Sequence, residues 1–296
     1  LLLNLVNHLT RGDKLEPGIY YRDGKKIKNT GKFQLNHNLS QLPLIDRELT
    51  KWRLYALKNS NFYRAPGAYT MFGRDCWWGK CTFCSWTTLF PVSGYRTIKV
   101  AKALDEIGHL IEKYQVREIM DDSGTFPTGD WLRDFCQGMI KRGYNKKVRM
   151  NANMRFNAGL NEKDYQLMGK AGFRFILYGL ESANQKTLDK IDKNLKVEQI
   201  EPVLVWAKKA GLWPHITVMI GYPWEGEKEI KRTVNFVKSL FEKGLVDSMQ
   251  ATLVIPYPGT PLFEEGKKKD WLMSFDWNDY DMTEPVMKTK VSSKKL

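Results

Sequence analysis

Three of the four cysteines fall inside nine residues, in the stretch "CWWGKCTFC" from Cys76 to Cys84; the fourth is Cys136. Four residues separate the first pair and two separate the second. Thiols this close on one loop are placed to share an inorganic partner. A structural zinc ion needs four Cys or His ligands. The histidines, His8, His37, His109 and His215, all lie far from this loop in sequence, and no second CxxC or HxxxH completes a set. A redox pair would use Cys81 and Cys84 and leave Cys76 without a task. A core role conflicts with the Gly79, Lys80, Thr82 and Ser85 between and beside the thiols. An iron–sulfur cluster on three thiolates uses all three and leaves one iron open for another ligand. Cys136, between Phe135 and Met139 in a helical pattern, reads as a buried thiol.

Such a loop needs a scaffold, and the chain from residue 67 onward supplies a regular one. Short apolar runs read as strands over 68–73, 116–120, 148–153, 173–180, 215–222 and 249–257. Being apolar almost throughout, they predict strands covered on both faces. Helical periods lie between them: Val100, Leu104, Ile107, Ile111 and Tyr114; Leu132, Phe135 and Met139; Ile230, Val234, Val237 and Phe241. Gly143, Gly172, Gly211 and Gly244 stand at helix ends. Six βα units predict an α/β fold, a partial (βα)6 barrel of parallel strands, too few for the closed eight-stranded form. The expected division is a lead-in over 1–66, the barrel over 67–270 and a C-terminal extension over 271–296.

Ligands of parallel α/β folds gather at the C-terminal ends of the strands, and polar residues recur there. Asp121 and Asp122 follow the second strand, fit either for recognition or for a helix cap. Arg155 follows the third in "NANMRFN", as a bidentate carboxylate ligand or a surface residue. Glu181 closes the apolar fourth strand, where a carboxylate is costly without partners, and Ser182 follows it. After the fifth strand comes "GYPWEGE", in which Glu225 and Glu227 read as acids opening a helix. The sixth run ends in "IPYPGTPLFEE", with a backbone fixed by prolines and glycine.

On these residues the chain resembles the radical S-adenosylmethionine (radical SAM) enzymes over about 67–270. Their cluster loop usually spaces its cysteines three and then two apart, with an aromatic before the last. Phe83 matches that aromatic, while the "WWGK" gap is one residue longer. The resemblance implies a 4Fe-4S cluster on Cys76, Cys81 and Cys84, with SAM on the open iron. An electron delivered by a reductant such as flavodoxin or ferredoxin then cleaves SAM, and the resulting radical abstracts hydrogen from a small-molecule substrate. It implies that Asp121 or Asp122 meets the SAM amino group. Glu181, in a "G-x-E-S" segment with Ser182, accepts the ribose hydroxyls. Lys193, in "L-x-x-I-x-K", meets the carboxylate, and Gly221 with Pro223 lies beside the adenine, where Trp224 replaces a glycine.

"PYPGTPL" is similar to a segment of the cobalamin-binding branch, many of whose members transfer methyl groups while others close rings. That branch carries its cobalamin domain before the barrel. Leu2, Leu5, Val6 and Leu9 have helical spacing with no evident partner in the chain, so residues 1–66 are expected to be the end of such a domain plus a linker. No Asp-x-His-x-x-Gly cobalt-ligand segment is present in the chain. The alternatives are a cobalamin-independent member, such as an RNA methylthiotransferase, and a non-catalytic metal-binding scaffold; polar residues at every strand end argue against the latter.

Composition narrows the rest. With 42% hydrophobic and 27% charged residues, the chain is ordinary for a globular protein. No run approaches the ~18 apolar residues of a membrane span, and the opening residues lack the pattern of a signal peptide. Few cysteines and no export signal predict a reducing, cytoplasmic setting. The net charge of +14 is spread over scattered lysines. No basic stripe interleaved with aromatics is present, which disfavours a nucleic-acid partner.

Overall fold

Each of the six apolar runs supplies one strand of a single parallel sheet. In the computed structural model these are β1 (Gly67–Thr70), β2 (Glu118–Asp121), β3 (Arg149–Met154), β4 (Phe173–Glu181), β5 (Trp213–Ile220) and β6 (Ser248–Leu253). The structure describes residues 2–33, 38–59, 61–89 and 94–292; His37 and the last four residues of the extension lie outside them. Each strand pairs in parallel with the next in sequence, so the spatial order equals the chain order and β1 and β6 remain unjoined edges. This is the partial (βα)6 barrel that the element pattern predicts.

Helices cover the outer face: Val100–Tyr114, Asp130–Lys141, Glu162–Lys170, Ile200–Lys209 and Glu227–Glu242. Their apolar stripes meet the outward residues of the strands, such as Ile119, Met150, Ile176 and Ile216, all fully buried. Aromatic packing concentrates between β1 and β4, where Trp131 stacks on Phe135 with ring centres 5.2 Å apart and both border Phe126. Gly172 and Gly211 follow helix ends with φ of 94° and 76°, the left-handed backbone that turns the chain straight into β4 and β5.

The inner face differs from the expected continuous apolar surface. Glu118, Asn151, Asn153, Arg174, Glu181, His215 and Thr217 alternate with the buried outward residues. An open barrel has a lumen to line, and only its helix side is a dry core.

The N-terminal mouth of that lumen is closed by residues 61–64. Glu118, with no exposed surface, accepts from the backbone N–H groups of Tyr63 and Arg64 at 2.7 and 2.6 Å. Its other oxygen accepts from Asn151 Nδ2 at 2.9 Å and Arg174 Nε at 2.5 Å. The Asn61 carbonyl accepts from the same two side chains, at 2.7 and 3.3 Å. Glu118→Ala leaves a buried guanidinium and two backbone donors without their anion. A loss of about 3–5 kcal/mol in folding stability is expected, read from the urea midpoint. A change under about 0.5 kcal/mol would show that the plug at this mouth does not depend on Glu118.

The lead-in also lies on the barrel. Arg47 donates to the Tyr69 carbonyl at 2.7 Å on the free edge of β1, and Trp52 packs edge-on against Tyr114. Residues 2–33 form a helix, Leu2–Arg11, and a two-stranded hairpin, Tyr20–Asp23 with Lys26–Asn29. Asn4 joins helix to turn, donating to Lys14 O and accepting from Glu16 N. The extension folds back on itself through the Met273 N–H to Val286 O and Lys288 N–H to Trp271 O bonds, and Val286 and Met287 are buried in the core cluster.

Candidate cluster and cofactor site

The cysteine loop leaves the C-terminal end of β1 and is fixed first at its root. Residues Gly73–Arg74 pair antiparallel with Arg96–Thr97, and Asp75 turns the chain with φ of 72°. Asp121, at the end of β2 and fully buried, accepts from Thr70 Oγ1 at 3.0 Å, Phe72 N at 2.8 Å and Ser123 N at 3.2 Å. Ser123 in turn accepts from Gly73 N at 2.8 Å. Burial pushes the Asp121 carboxyl up, and these hydrogen bonds oppose it. Asp121 therefore holds the root of the loop. Its neighbour Asp122 is exposed and accepts from Asn153 Nδ2 at 3.3 Å.

The tip of the loop is clamped by "IDKN", residues 191–194. Four successive carbonyls accept hydrogen bonds, two from the loop and two from the segment after β3. Ile191 O accepts from Thr82 N at 2.9 Å and Asp192 O from Trp78 Nε1 at 2.6 Å. Lys193 O accepts from Arg155 Nη2, and Asn194 O from Asn157 Nδ2. Asp192 and Asn194 have φ of 50° and 51°, a left-handed backbone that Asp and Asn tolerate best among residues with a Cβ. On the other side Leu262 N donates to Thr82 O at 2.9 Å, tying the loop to the segment after β6.

Beside this clamp sits a buried ion pair. Lys193 Nζ lies 2.6 Å from Glu181 Oε1, and each side chain is 8% exposed. Glu181 ends β4 at a bulge in its pairing with β5, with φ of 64°, which turns its carboxylate into the lumen. Thr217 on β5 donates to its second oxygen at 3.5 Å. Lys193 also stands over the Phe83 ring at 5.9 Å. Gly221, with φ of 89°, carries the chain from β5 to the buried Tyr222.

Ser182 turns the other way, into a buried polar network. It and Thr187 donate to Glu225 Oε1 at 2.9 and 2.6 Å, and Asn184 joins at 3.3 Å. Glu225 is thus no helix-opening acid: it is 2% exposed and holds the turn after β4 to the turn after β5. The helix Glu227–Glu242 is opened by Gly226, whose N–H donates to Glu229 at 2.9 Å. Trp224 stacks on Tyr222 and lies 4.0 Å from Lys190 Nζ, filling the space that a glycine would leave.

The structure thus brings Cys76, Cys81, Cys84, Phe83, Arg155, Glu181 and Lys193 to one mouth, and sets Asp121 and Ser182 into the frame around it. Sequence reasoning missed the carbonyl clamp and the Glu225 network. The former had a signal in the Asp and Asn flanking Lys193; the latter had none, because a glutamate before a helix looks like a cap.

The three thiols are free. Burial pushes Cys81 up, with Lys193 and Arg155 acting against it, and pushes Cys84 up to about 11. Sulfurs sharing one zinc must converge at ~2.3 Å from it. Among the described residues no three Cys, His, Asp or Glu groups converge in that way. A cluster with separate irons asks only that each thiolate reach its own iron. The surroundings fit such a group. A cavity of about 220 Å³ lies on the Cys76 side of the loop, lined by Cys76, Trp77, Trp78, Lys80, Trp86 and Tyr95 among others, with Cys81 and Cys84 outside its lining. Within the frame the Trp77 Nε1–H and the Tyr222 hydroxyl are buried with no hydrogen-bond partner among the described residues. Cys81, Glu181 and Glu225 all act electrostatically on that hydroxyl. Orphaned polar atoms of this kind call for a bound partner.

The family model described as the radical SAM superfamily matches residues 70–237. An uncharacterized methyltransferase of Pyrococcus horikoshii is 29% identical over 290 residues, covering 97% of this chain and 60% of that protein. The anaerobic magnesium-protoporphyrin IX monomethyl ester cyclase of Cereibacter sphaeroides is 25% identical over 279 residues, covering 92% and 43%. The chain therefore spans about half the length of these relatives. Among solved structures, the cobalamin-dependent SAM radical enzyme OxsB with aqua-cobalamin and SAM bound matches with a TM-score of 0.73 at 18% identity, over 97% of this chain and 47% of that one.

Proposed function

The chain belongs to the radical SAM superfamily, and on that premise we propose that it is the barrel core of a cobalamin-dependent methyltransferase or cyclase acting on a small molecule. The observation that carries the reading is the three-thiol loop clamped directly against a buried Glu–Lys pair at one strand-end mouth. The two relatives, a methyltransferase and a cyclase, support the branch.

Enzymes of this superfamily use a 4Fe-4S cluster and SAM and need an external reductant. When bound, the cluster supplies the electron that breaks a carbon–sulfur bond of SAM. Cys76, Cys81 and Cys84 are the thiolates that would hold it. Glu181 is placed to accept two hydroxyls, the demand of a ribose, and Lys193 to hold a carboxylate. Each neutralises the other until those partners arrive. Asp121 is committed to the loop root, which leaves Asp122, with Asn153, for the amino group. Ser182 acts by fixing the turn that carries Glu181. Phe83 and Gly221 line the approach, Phe83 under Lys193 and Gly221 at the end of β5.

The substrate reading rests on the far side of the lumen. A groove of about 370 Å³ runs between the C-terminal ends of β5 and β6 and residues 282–285, lined by Ile220, Leu253 and Pro285 together with Thr252, Thr283 and Glu284, while His215 Nδ1 and Ser248 Oγ lie 2.9 Å apart at the other end of the same two strands. A groove of mixed apolar and polar lining, with no lysine or arginine in it, suits a small molecule better than a phosphate backbone. The N-terminal helix, with Leu2, Leu3 and Leu9 about three-quarters exposed, supports residues 1–66 as the end of a preceding cobalamin-type domain and a linker.

The test is direct. Protein reconstituted anaerobically with iron and sulfide, then reduced, is expected to convert SAM to methionine and 5′-deoxyadenosine without added substrate. Protein with a full iron complement that releases neither product would overturn the reading.

A further inference from the structure

Arg155 is a buried cation with no carboxylate partner among the described residues. It is 5% exposed, and none of the ion pairs among the described residues includes it. Removing a guanidinium from water is costly unless anionic or strongly accepting partners replace the solvent. Every arm of its fork is engaged: Nε donates to Asn157 Oδ1 at 3.1 Å, Nη2 to the Lys193 carbonyl, and Nη1 to Cys81 Sγ at 3.6 Å. Two ring faces complete the shell, with its central carbon 5.2 Å from the Trp77 ring centre and 5.5 Å from that of Trp78.

These are the two tryptophans of the lengthened first gap in the cysteine loop. The additional residue thus has a use: it lets consecutive indoles both reach one guanidinium. Trp78 is itself pinned by its bond to Asp192 O, and Arg155 by the next carbonyl along, so neither is free to swing away. Among the described residues the sulfur that Arg155 donates to is that of Cys81, which as a cluster ligand would bring a thiolate charge to the guanidinium, while the nearby Glu181 carboxylate is paired with Lys193.

We infer that Arg155 is a positioning residue that holds its guanidinium on the Cys81 sulfur and thereby raises the reduction potential of the cluster. The inference rests on the three-thiolate reading above. Adding an electron increases the negative charge on the cluster and its sulfurs. A fixed cation donating a hydrogen bond to one of those sulfurs stabilises the reduced form more than the oxidised one. Hydrogen bonds to the sulfurs and local charge are established levers on such potentials. The indoles add to the effect by keeping water, which would screen the charge, away from the guanidinium. The role differs from the expected carboxylate ligand, since the fork is already engaged by Asn157, the Lys193 carbonyl and the Cys81 sulfur.

The experiment is an electron paramagnetic resonance redox titration of reconstituted protein without SAM. At a fixed solution potential, Arg155→Gln is expected to lower the ratio of reduced to oxidised cluster about tenfold, which is a fall of about 59 mV for a one-electron couple. Arg155→Lys, which keeps the charge but cannot span three acceptors, is expected to recover part of the loss. Lys190→Gln removes an exposed cation just before the 191–194 clamp, one that stands over the Trp224 ring at 4.0 Å and does not line the cluster cavity, and is expected to leave the ratio within about twofold. Unchanged potential in a cluster-loaded Arg155→Gln protein overturns the inference. So does an equal fall in Lys190→Gln, which would make the effect one of general charge, or loss of the cluster from both Arg155 variants, which would make Arg155 an assembly residue. Failure of the wild type to take up a cluster is a separate outcome and sinks the three-thiolate reading itself.

Discussion

Alanine at Cys76, Cys81 or Cys84 is expected to abolish the iron–sulfur cluster, each substitution acting alone, while Cys136→Ala leaves it in place. The distinction follows from position. Cys136 is fully buried on the outer helix Asp130–Lys141, packed in the barrel core, and burial raises its thiol far above the ordinary range. It has no path to a cluster. The other three lie on one loop that is tied at its root by Asp121, at its tip by residues 191–194 and on its flank by Leu262. Among the described residues no wider group of Cys, His, Asp or Glu gathers as a metal site around the loop, so no spare side chain stands ready to replace a lost thiolate. The measurement is iron and sulfide content with the visible absorption of reconstituted protein. Full iron retained in any one of the three variants would remove that cysteine from the ligand set. Stoichiometric zinc with SAM cleavage intact would remove the cluster. Cys136→Ala is expected to cost stability instead, about 1–2 kcal/mol for a small buried side chain truncated in a core.

How much of this was legible in the sequence depends on whether a residue's task is local. The strands were readable because an outward face that must be dry stays apolar in every second residue, and the helices because Leu104, Ile107 and Ile111 repeat at their period. The three thiols were readable because a loop of nine residues brings them together whatever the fold does. The inner face was misjudged as dry. Asn151 and Asn153 interrupt β3 at alternate positions, a signal of a polar lumen that a tally of apolar residues passes over. The partners of Asp121, Arg155 and Glu225 could not be read at all. Each bond spans from 38 to 74 residues of sequence and exists only because neighbouring strand ends converge. For that reason two adjacent aspartates that look alike in "MDDSGTF" part company in space, one into the frame and one to the surface.

The buried pair of Glu181 and Lys193 sets the terms for testing the SAM site. Glu181→Ala is a poor probe, because it leaves an ammonium 8% exposed and unpaired, a loss of about 3–5 kcal/mol that would confuse binding with folding. Glu181→Gln keeps the shape and keeps an oxygen for Lys193, so stability is expected to change far less. It removes the charge that strengthens hydrogen bonds from two hydroxyl donors. A hydrogen bond to a charged acceptor contributes about 1.5–3 kcal/mol, so SAM affinity is expected to fall about 10- to 100-fold. One effect opposes this: Lys193, no longer neutralised, attracts the SAM carboxylate more strongly. On the proposed role of Lys193 at that carboxylate, the contact exists in the wild-type complex as well, so the gain is confined to releasing its bond to Glu181 and is the smaller term. The backbone leaves little room for adjustment. A Cβ at Gly179 would lie 2.3 Å from Glu181 Oε1 and 2.6 Å from Lys193 Nζ, so the pair is seated directly over that glycine. Equilibrium binding of SAM to the reconstituted, unreduced protein checks the expectation, with iron content as the control. Wild-type affinity in a fully loaded Glu181→Gln protein would mean that the carboxylate serves only to neutralise Lys193, and the ribose contact would have to be sought elsewhere along β4 and β5.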